Sequence, residues 1–370
     1  MNIDFQNQLL SKLAAINDAG LFNESGTVMS GNAVIDTDSG RLLNFRNPNP
    51  LQMIKAESDG QVVADVLEKK IAQLLDAEEC ILYNSPIEAN SAIANHLFDR
   101  ADALIYNSFG QFAMAGGPNF CRPTKYKYHG FDIDDLEKQL KLSQAQRYRA
   151  LIIDSVDMAT GNIAPLNRIF ELAEKYEAIM VVDQTLSAGI IGDGGRGVCN
   201  LFQCPTDNVI HTGSLQNLGS GRGAYIAGKR EVVDFLRQHT AALQTSVPMT
   251  PSEIATAESV IGTIAPMNAE RQYILQITNY FIKKLYCLGL EIPPTQTSRF
   301  AVLTGDAART ETIAETLARK GVLVTALTPP HVGKDQCRLV MNLSLGHSKD
   351  DVEIASDIFE SVVAMFPKRQ

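Results

Sequence analysis

Two stretches of the 370-residue chain concentrate the residue types that can do chemistry. They are Asp154-Ser-Val-Asp-Met-Ala-Thr-Gly-Asn-Ile-Ala-Pro-Leu166 and Ile179-Met-Val-Val-Asp-Gln-Thr-Leu-Ser-Ala-Gly-Ile-Ile-Gly-Asp-Gly-Gly-Arg-Gly197. In each, an apolar stretch meets an aspartate, and Asp183 leads into a Gly-rich loop. A carboxylate there either caps a buried strand or presents a fixed charge to a ligand. Gly219-Ser-Gly-Arg-Gly223 has the look of a phosphate loop. It follows neither a Walker pattern nor a dinucleotide fingerprint that opens a helix, so it gives no nucleotide reading. The six cysteines (Cys80, Cys121, Cys199, Cys204, Cys287, Cys337) show no C-x-x-C and no histidine at ligand spacing. That usage fits free thiols in a reducing compartment and predicts no metal site. His129 reads as a turn residue, and His347 as the residue that closes the last strand and caps the final helix.

The elements that must hold these residues follow from hydrophobic patterning. Short apolar runs at 79–84, 103–106, 150–154, 179–183, 208–212 and 224–227 alternate with helical patterns at 62–75, 132–142 and 166–176. Such alternation predicts a mainly parallel sheet covered by helices on both faces. A long helix follows, with Ile274, Ile277, Phe281, Leu285 and Leu288 at spacings of three and four, and it stops at Gly289. Strand patterns at 299–304, 322–326 and 337–343, interleaved with helices at 307–320 and 349–365, predict a smaller α+β domain. The expected division is a 1–45 segment packed on the small domain, a large α/β domain over 46–290, and the small domain over 291–370.

Composition restricts the partners. With 45% hydrophobic and 20% charged residues the chain is an ordinary globular protein. Lys+Arg of 33 against Asp+Glu of 42 gives a net charge of -9, with no basic run, which argues against nucleic acid. No window reaches the length of a membrane span, and the first residues, with Asp4 among them, lack the pattern of a secretory signal. The expectation is a cytoplasmic protein.

The strand, the loop ending in Ala164-Pro165-Leu166, the helix, and the strand ending in Asp183 with its Gly-rich loop resemble the α-oxoamine synthase family. That family belongs to the fold type I enzymes that use pyridoxal 5'-phosphate. The resemblance runs from about Asn44 to the C-terminus, through Val66-Leu67-Glu68, the 84–90 turn, the 211–229 segment and 338–347. It implies an aspartate aminotransferase-like large domain and an acyl-CoA:amino acid C-acyltransferase activity. It places the partner of the pyridine nitrogen at Asp183, where a fixed carboxylate keeps the ring an electron sink. Cofactor positions fall on Gln111, Ser85, Ile87, Leu186, Thr212, Ser214 and Thr245, and Arg338 stands near the position that grips a substrate carboxylate.

Several of these positions depart from the family pattern. The Schiff-base lysine falls on Gln216, whose amide nitrogen has no usable lone pair for an imine. Gln111 stands for the histidine that stacks on the ring, Leu186 for a second histidine, Gly213 for a phosphate-binding threonine and Val340 for the carboxylate arginine. Pro86 removes a backbone donor from the helix start that would hold phosphate, and Glu88 adds negative charge beside it. Lys229, the nearest lysine, lies beyond a predicted strand and reads as a surface residue. The resemblance therefore implies a divergent member that does not bind the cofactor covalently. Such a chain would act as a non-catalytic partner or regulatory subunit, a homodimer or a heterodimer with a catalytic homologue, with acyl-CoA or an amino acid as a possible ligand. An active C-acyltransferase with an altered site, or an enzyme that uses the old cleft for another ligand, are the alternatives. The segment Thr245-Ser-Val-Pro-Met249 falls where the family lends residues across its dimer interface.

Overall fold

The computed structural model describes residues 2–18, 34–37, 40–43, 60–110, 117, 121–218, 222–240, 243 and 249–365. Two compact units divide the chain. The first takes Met1–Ser155 and Pro165–Pro266, the second Val156–Ala164 and Met267–Gln370.

The first unit is built on a seven-stranded sheet. In chain order its elements begin with α1 (Ile3–Asp18), a two-stranded ribbon β1 (Val34–Thr37) and β2 (Gly40–Leu43), then α2 (Gly60–Leu75), β3 (Glu79–Tyr83) and α3 (Pro86–Ala92). There follow β4 (Ala103–Asn107), β5 (Thr124–Tyr128), α4 (Ile133–Leu142), β6 (Arg149–Asp154), α5 (Leu166–Lys175), β7 (Ala178–Asp183), α6 (Val198–Leu201), β8 (Val209–Ser214), β9 (Ala224–Gly228), α7 (Arg230–His239) and α8 (Pro251–Ile264). The strand order is β3-β9-β8-β7-β6-β4-β5, with only β9 antiparallel to its neighbours. Strands β4, β6, β8 and β9 are buried along their whole length. Helices cover the sheet because their sequences carry both start signals and an apolar stripe. In α4, Asp132 accepts from the Asp134 and Asp135 amides at 3.0 Å each, and Leu136 and Leu140 form the buried stripe. Glu68 of α2 accepts from the Leu82 amide and from Arg237 of α7 at 3.1 Å, tying two helices to the edge strand β3.

The second unit packs α9 (Asn268–Cys287), α10 (Ala307–Arg319) and α11 (Lys349–Val363) on an antiparallel sheet. That sheet runs β10 (Arg299–Gly305), β12 (Cys337–Asn342), β11 (Thr325–Leu327). Phe281 lies edge-on to Phe300 and Phe359 at 5.6 and 5.9 Å, at the centre of its core. Gly161, at φ +81°, admits no side chain: a Cβ would sit 1.8 Å from the Arg299 carbonyl oxygen.

The mainly parallel sheet covered by helices and the smaller antiparallel unit are as the patterning predicts, and the domain limits are corrected. Helix α9 packs its Ile277, Phe281 and Leu285 stripe into the second unit, which moves the boundary from 290 to Pro266/Met267. Residues 2–18, expected on the small domain, join the first unit. Phe5 is fully buried there, stacked on Phe98 at 5.6 Å and edge-on to Tyr148 at 5.3 Å. Strand β5 escaped the sequence reading because Thr-Lys-Tyr-Lys-Tyr is an edge strand interrupted by lysines, without an apolar run. The final helix is capped by Ser348 with Asp351, and His347 instead accepts from the Ser344 amide at 3.0 Å.

Candidate functional site

The carboxyl ends of β6, β7 and β8 gather the polar residues of the first unit. The chain leaves β4 toward β5 on one side and runs from β6 to β7 and β8 on the other, so the strand order reverses between β4 and β6. Ligand crevices of open α/β sheets form at such reversals. Asp154 and Asp183 end adjacent strands in register, and both are buried. The carboxylate of Asp154 lies against Gly110, where a Cβ would fall 2.0 Å from its Oδ2.

Asp183 is directly opposite Thr212 on β8, so Thr212 and, two residues on, Ser214 share its face of the sheet, while Gly213 points the other way. The Thr185 amide donates to Asp183 Oδ1 at 2.7 Å, an Asx-type turn that fixes the carboxyl. Burial pushes the Asp183 carboxyl above its ordinary value, and the hydrogen bonds from Thr185 oppose this. Thr185 Oγ1 in turn accepts from the Ser214 amide at 3.0 Å, and Ser214 Oγ accepts from the Gln216 amide at 3.2 Å. A chain of short-range bonds thus runs from Asp183 to the Schiff-base position.

Gln216 itself opens a 3-10 turn and is exposed. Lys229 cannot stand in for it: β9 is antiparallel to β8, so Lys229 emerges at the opposite end of the strands, paired with Glu78 at 2.7 Å. Leu186 is half-buried and brings no polar atom. Gly213 is closed to any side chain, since a Cβ would meet the Tyr225 hydroxyl at 2.5 Å.

Helix α3 packs across β8 and β9 at the same end of the sheet. Two amides at its start are already taken. Ser85 Oγ accepts from the Glu88 amide at 3.2 Å, Glu88 Oε2 accepts from the Asn84 amide at 3.2 Å, and Pro86 has no amide to offer. Ile87 is 54% exposed. Arg338 belongs to the second unit, where it is buried and donates through Nε to the Gln336 carbonyl at 2.8 Å. Gln111 and Thr245 lie outside the described residues.

A network missed at the level of sequence backs Asp183 from the other face. The Gln184 side-chain oxygen accepts from Ser187 and from the Val198 amide at 3.1 Å, which orients its nitrogen toward His211 Nδ1 at 3.3 Å. Burial lowers the His211 pKa to about 4, so the ring is neutral, and Nε2 has no partner among the described residues. Ser155 and Ser187 share a 2.8 Å hydroxyl contact. Its sequence signal was only the run of short polar residues after Asp183.

These residues fit pyridoxal 5'-phosphate at one end only. Asp183, Thr212 and Ser214 suit its ring nitrogen and hydroxyl contacts, but the amine is missing and the helix start that would take phosphate holds its own carboxylate. The set does not fit the covalently bound cofactor.

Comparison with known proteins places the chain. The family described as aminotransferase class I and II matches residues 56–357. 8-Amino-7-oxononanoate synthase 2 of Bacillus subtilis is 29% identical, covering 94% of this chain and 91% of that protein. 2-Amino-3-ketobutyrate coenzyme A ligase of Salmonella typhimurium is 28% identical over 98% of both. The structure of Sphingomonas wittichii serine palmitoyltransferase superposes with a TM-score of 0.79 at 19% identity, covering 99% of this chain and 98% of that one. That of S. paucimobilis serine palmitoyltransferase with a bound PLP–myriocin aldimine gives 0.77 at 17% identity over 99% of both, a likeness of fold. With the family match spanning most of its length and the relatives all of one kind, the chain belongs to the aminotransferase class I and II family, on its α-oxoamine synthase branch.

Proposed function

We propose that this chain is a non-catalytic α-oxoamine synthase relative that works by binding. It would act as a partner or regulatory subunit, paired with a second copy or with a catalytic homologue. The observation that carries the reading is Gln216, an amide where the branch needs an amine, with Lys229 held at the opposite end of the strands. No tuning of its surroundings gives an amide nitrogen the lone pair an imine requires. Leu186 and the self-capped start of α3 support the same reading.

Asp183 favours a second reading, an active acyl-CoA:amino acid C-acyltransferase that uses pyridoxal 5'-phosphate in an altered arrangement, because a buried acid flanked by Thr212 and Ser214 suits the ring. When bound, that cofactor supplies an electron sink for carbanion chemistry. The chain's own part would be confined to Asp183 orienting the ring and Thr185 holding Asp183.

One experiment separates the two. Purified protein is incubated with pyridoxal 5'-phosphate, treated with borohydride and peptide-mapped. The first reading expects no pyridoxyl group on residues 205–235, exposed lysines elsewhere being labelled without regard to the site. Native mass spectrometry of the chain alone and after co-expression with a lysine-bearing homologue tests the pairing; a monomer under both conditions overturns it.

A further inference from the structure

Helix α6 and the residues after it bring two thiols together in a way the site does not use. The helix ends in a Schellman motif: Gln203 adopts φ 52°, the Cys204 amide donates to the Cys199 carbonyl at 2.9 Å, and the Gln203 amide donates to the Asn200 carbonyl at 3.1 Å. This motif commonly brings the first and last side chains of the turn into apolar contact. Here both are cysteines. A backbone hydrogen bond of 2.9 Å, with the fixed bond lengths and Cα–C=O angle of the peptide, limits their α-carbons to about 6.8 Å apart, within the range a disulfide spans. Each thiol perturbs the titration of the other, Cys204 downward and Cys199 upward.

We propose that Cys199 and Cys204 form a redox-active dithiol that closes reversibly to an intramolecular disulfide, with a hydroperoxide as oxidant. The roles differ. Cys199 is 1% exposed and Cys204 9%, so Cys204 is the sulfur an oxidant reaches. The neighbouring Cys199 holds the Cys204 thiol below its usual range, and Cys204 together with burial holds Cys199 above it. Cys204 is the attacking thiolate and Cys199 the proton donor.

The step balances. The Cys204 thiolate attacks the peroxide oxygen, the O–O bond breaks, and the leaving alkoxide or hydroxide takes a proton to give alcohol or water, with a sulfenic acid on Cys204. The Cys199 sulfur then attacks Cys204 sulfur and its proton leaves with the hydroxyl as water. Two thiols lose two electrons and the peroxide gains them. An exogenous dithiol reverses the bond.

Closure has a reader close by. Gln184, which follows Asp183 and binds Ser187 and His211, also accepts from the amide of Val198, the residue before Cys199. A disulfide at Cys199 constrains the segment that this bond holds. The proposal is independent of whether the chain binds pyridoxal 5'-phosphate.

The test uses the whole protein in native buffer. Reduced protein is exposed to limiting hydrogen peroxide, remaining thiols are blocked with N-ethylmaleimide, and the digest is mapped without reductant. The expected result is a peptide spanning 199–204 that carries no maleimide and has lost two hydrogens, and that regains both thiols with dithiothreitol. Cys199→Ser is expected to leave a sulfenic acid on Cys204 that dimedone traps, and Cys204→Ser to abolish oxidation at both positions. If either variant fails to fold, the wild-type map decides. Maleimide on both cysteines while Cys121 or Cys287 consumes the peroxide overturns the proposal, as does sulfinic acid on Cys204 without a cross-link.

Discussion

Asp183→Asn isolates what it costs to hold a carboxyl at the buried edge of β7. The side chain is 6% exposed, its Oδ1 accepts from the Thr185 amide at 2.7 Å, and burial outweighs that bond in setting its pKa, which is raised. An acid whose pKa is raised by folding contributes its full stability below the unfolded value, near ~3.9, and loses it as pH rises through the folded value. Each unit of elevation corresponds to about 1.4 kcal/mol, or about 0.5 M in the urea midpoint for a slope of about 3 kcal/mol/M. Asparagine keeps the oxygen that Thr185 binds and does not ionise. The variant should therefore gain on the wild type as pH climbs from about 4, and the gain should level off once the wild-type carboxyl is ionised. Any cost of the new amide nitrogen shifts the whole curve without changing its slope. The chain has no tryptophan, so far-ultraviolet circular dichroism in urea at a series of pH values is the measurement. A difference that is flat, or one in which the variant loses ground as pH rises, would refute the reasoning. The latter would mean that a cation already faces Asp183.

Gln216→Lys alone should restore no condensation of an acyl-CoA with an amino acid, because residues that act as a unit fail together; detectable product in a coenzyme A release assay would show that the lysine was the only loss. Gly213→Ala should cost about 1–3 kcal/mol in chemical denaturation, because its Cβ would sit 2.5 Å from a fully buried tyrosine hydroxyl. Tyr225→Phe should be neutral or stabilising, since that hydroxyl has no partner among the described residues; a loss above about 1 kcal/mol would reveal a partner. Phe5→Ala should lose about 3–5 kcal/mol, and a silent substitution would mean that α1 does not contribute to the first unit's core.

The buried strands were the most legible part of the chain. Ala150 to Asp154 and Ile179 to Asp183 are central, covered on both faces, and read as unbroken apolar runs. The edge strand β5 was not legible, since a strand paired on one side tolerates lysines at alternate positions. The domain limit was misplaced because the apolar stripe of α9 announces a buried face without saying which core receives it. At the site, the assignment of Gln216 to the Schiff-base position rests on the resemblance, and the fold adds only that Gln216 follows β8 and is tied to Ser214. Two features needed the fold. Neither the sharing of Asp183's face by Thr212 and Ser214 nor the Gln184–His211 pair can be read before the register of β7 on β8 is known.

The charge arrangement restricts what the crevice could hold. At one end Asp183 is an acid that burial draws toward its neutral form, with no basic side chain among its hydrogen-bond partners. At the other, the backbone amides at the start of α3, which would otherwise attract an anion, are turned inward to Ser85 and Glu88. A phosphate ester would have to displace a tethered carboxylate that is already at hydrogen-bonding distance. A neutral or cationic ligand does not meet this obstacle, and it gains from Asp183, which can donate a hydrogen bond when protonated or pair with a cation when ionised. The start of α3 therefore disfavours a phosphate ester, while Asp183 suits a neutral or cationic group, a pyridine ring included.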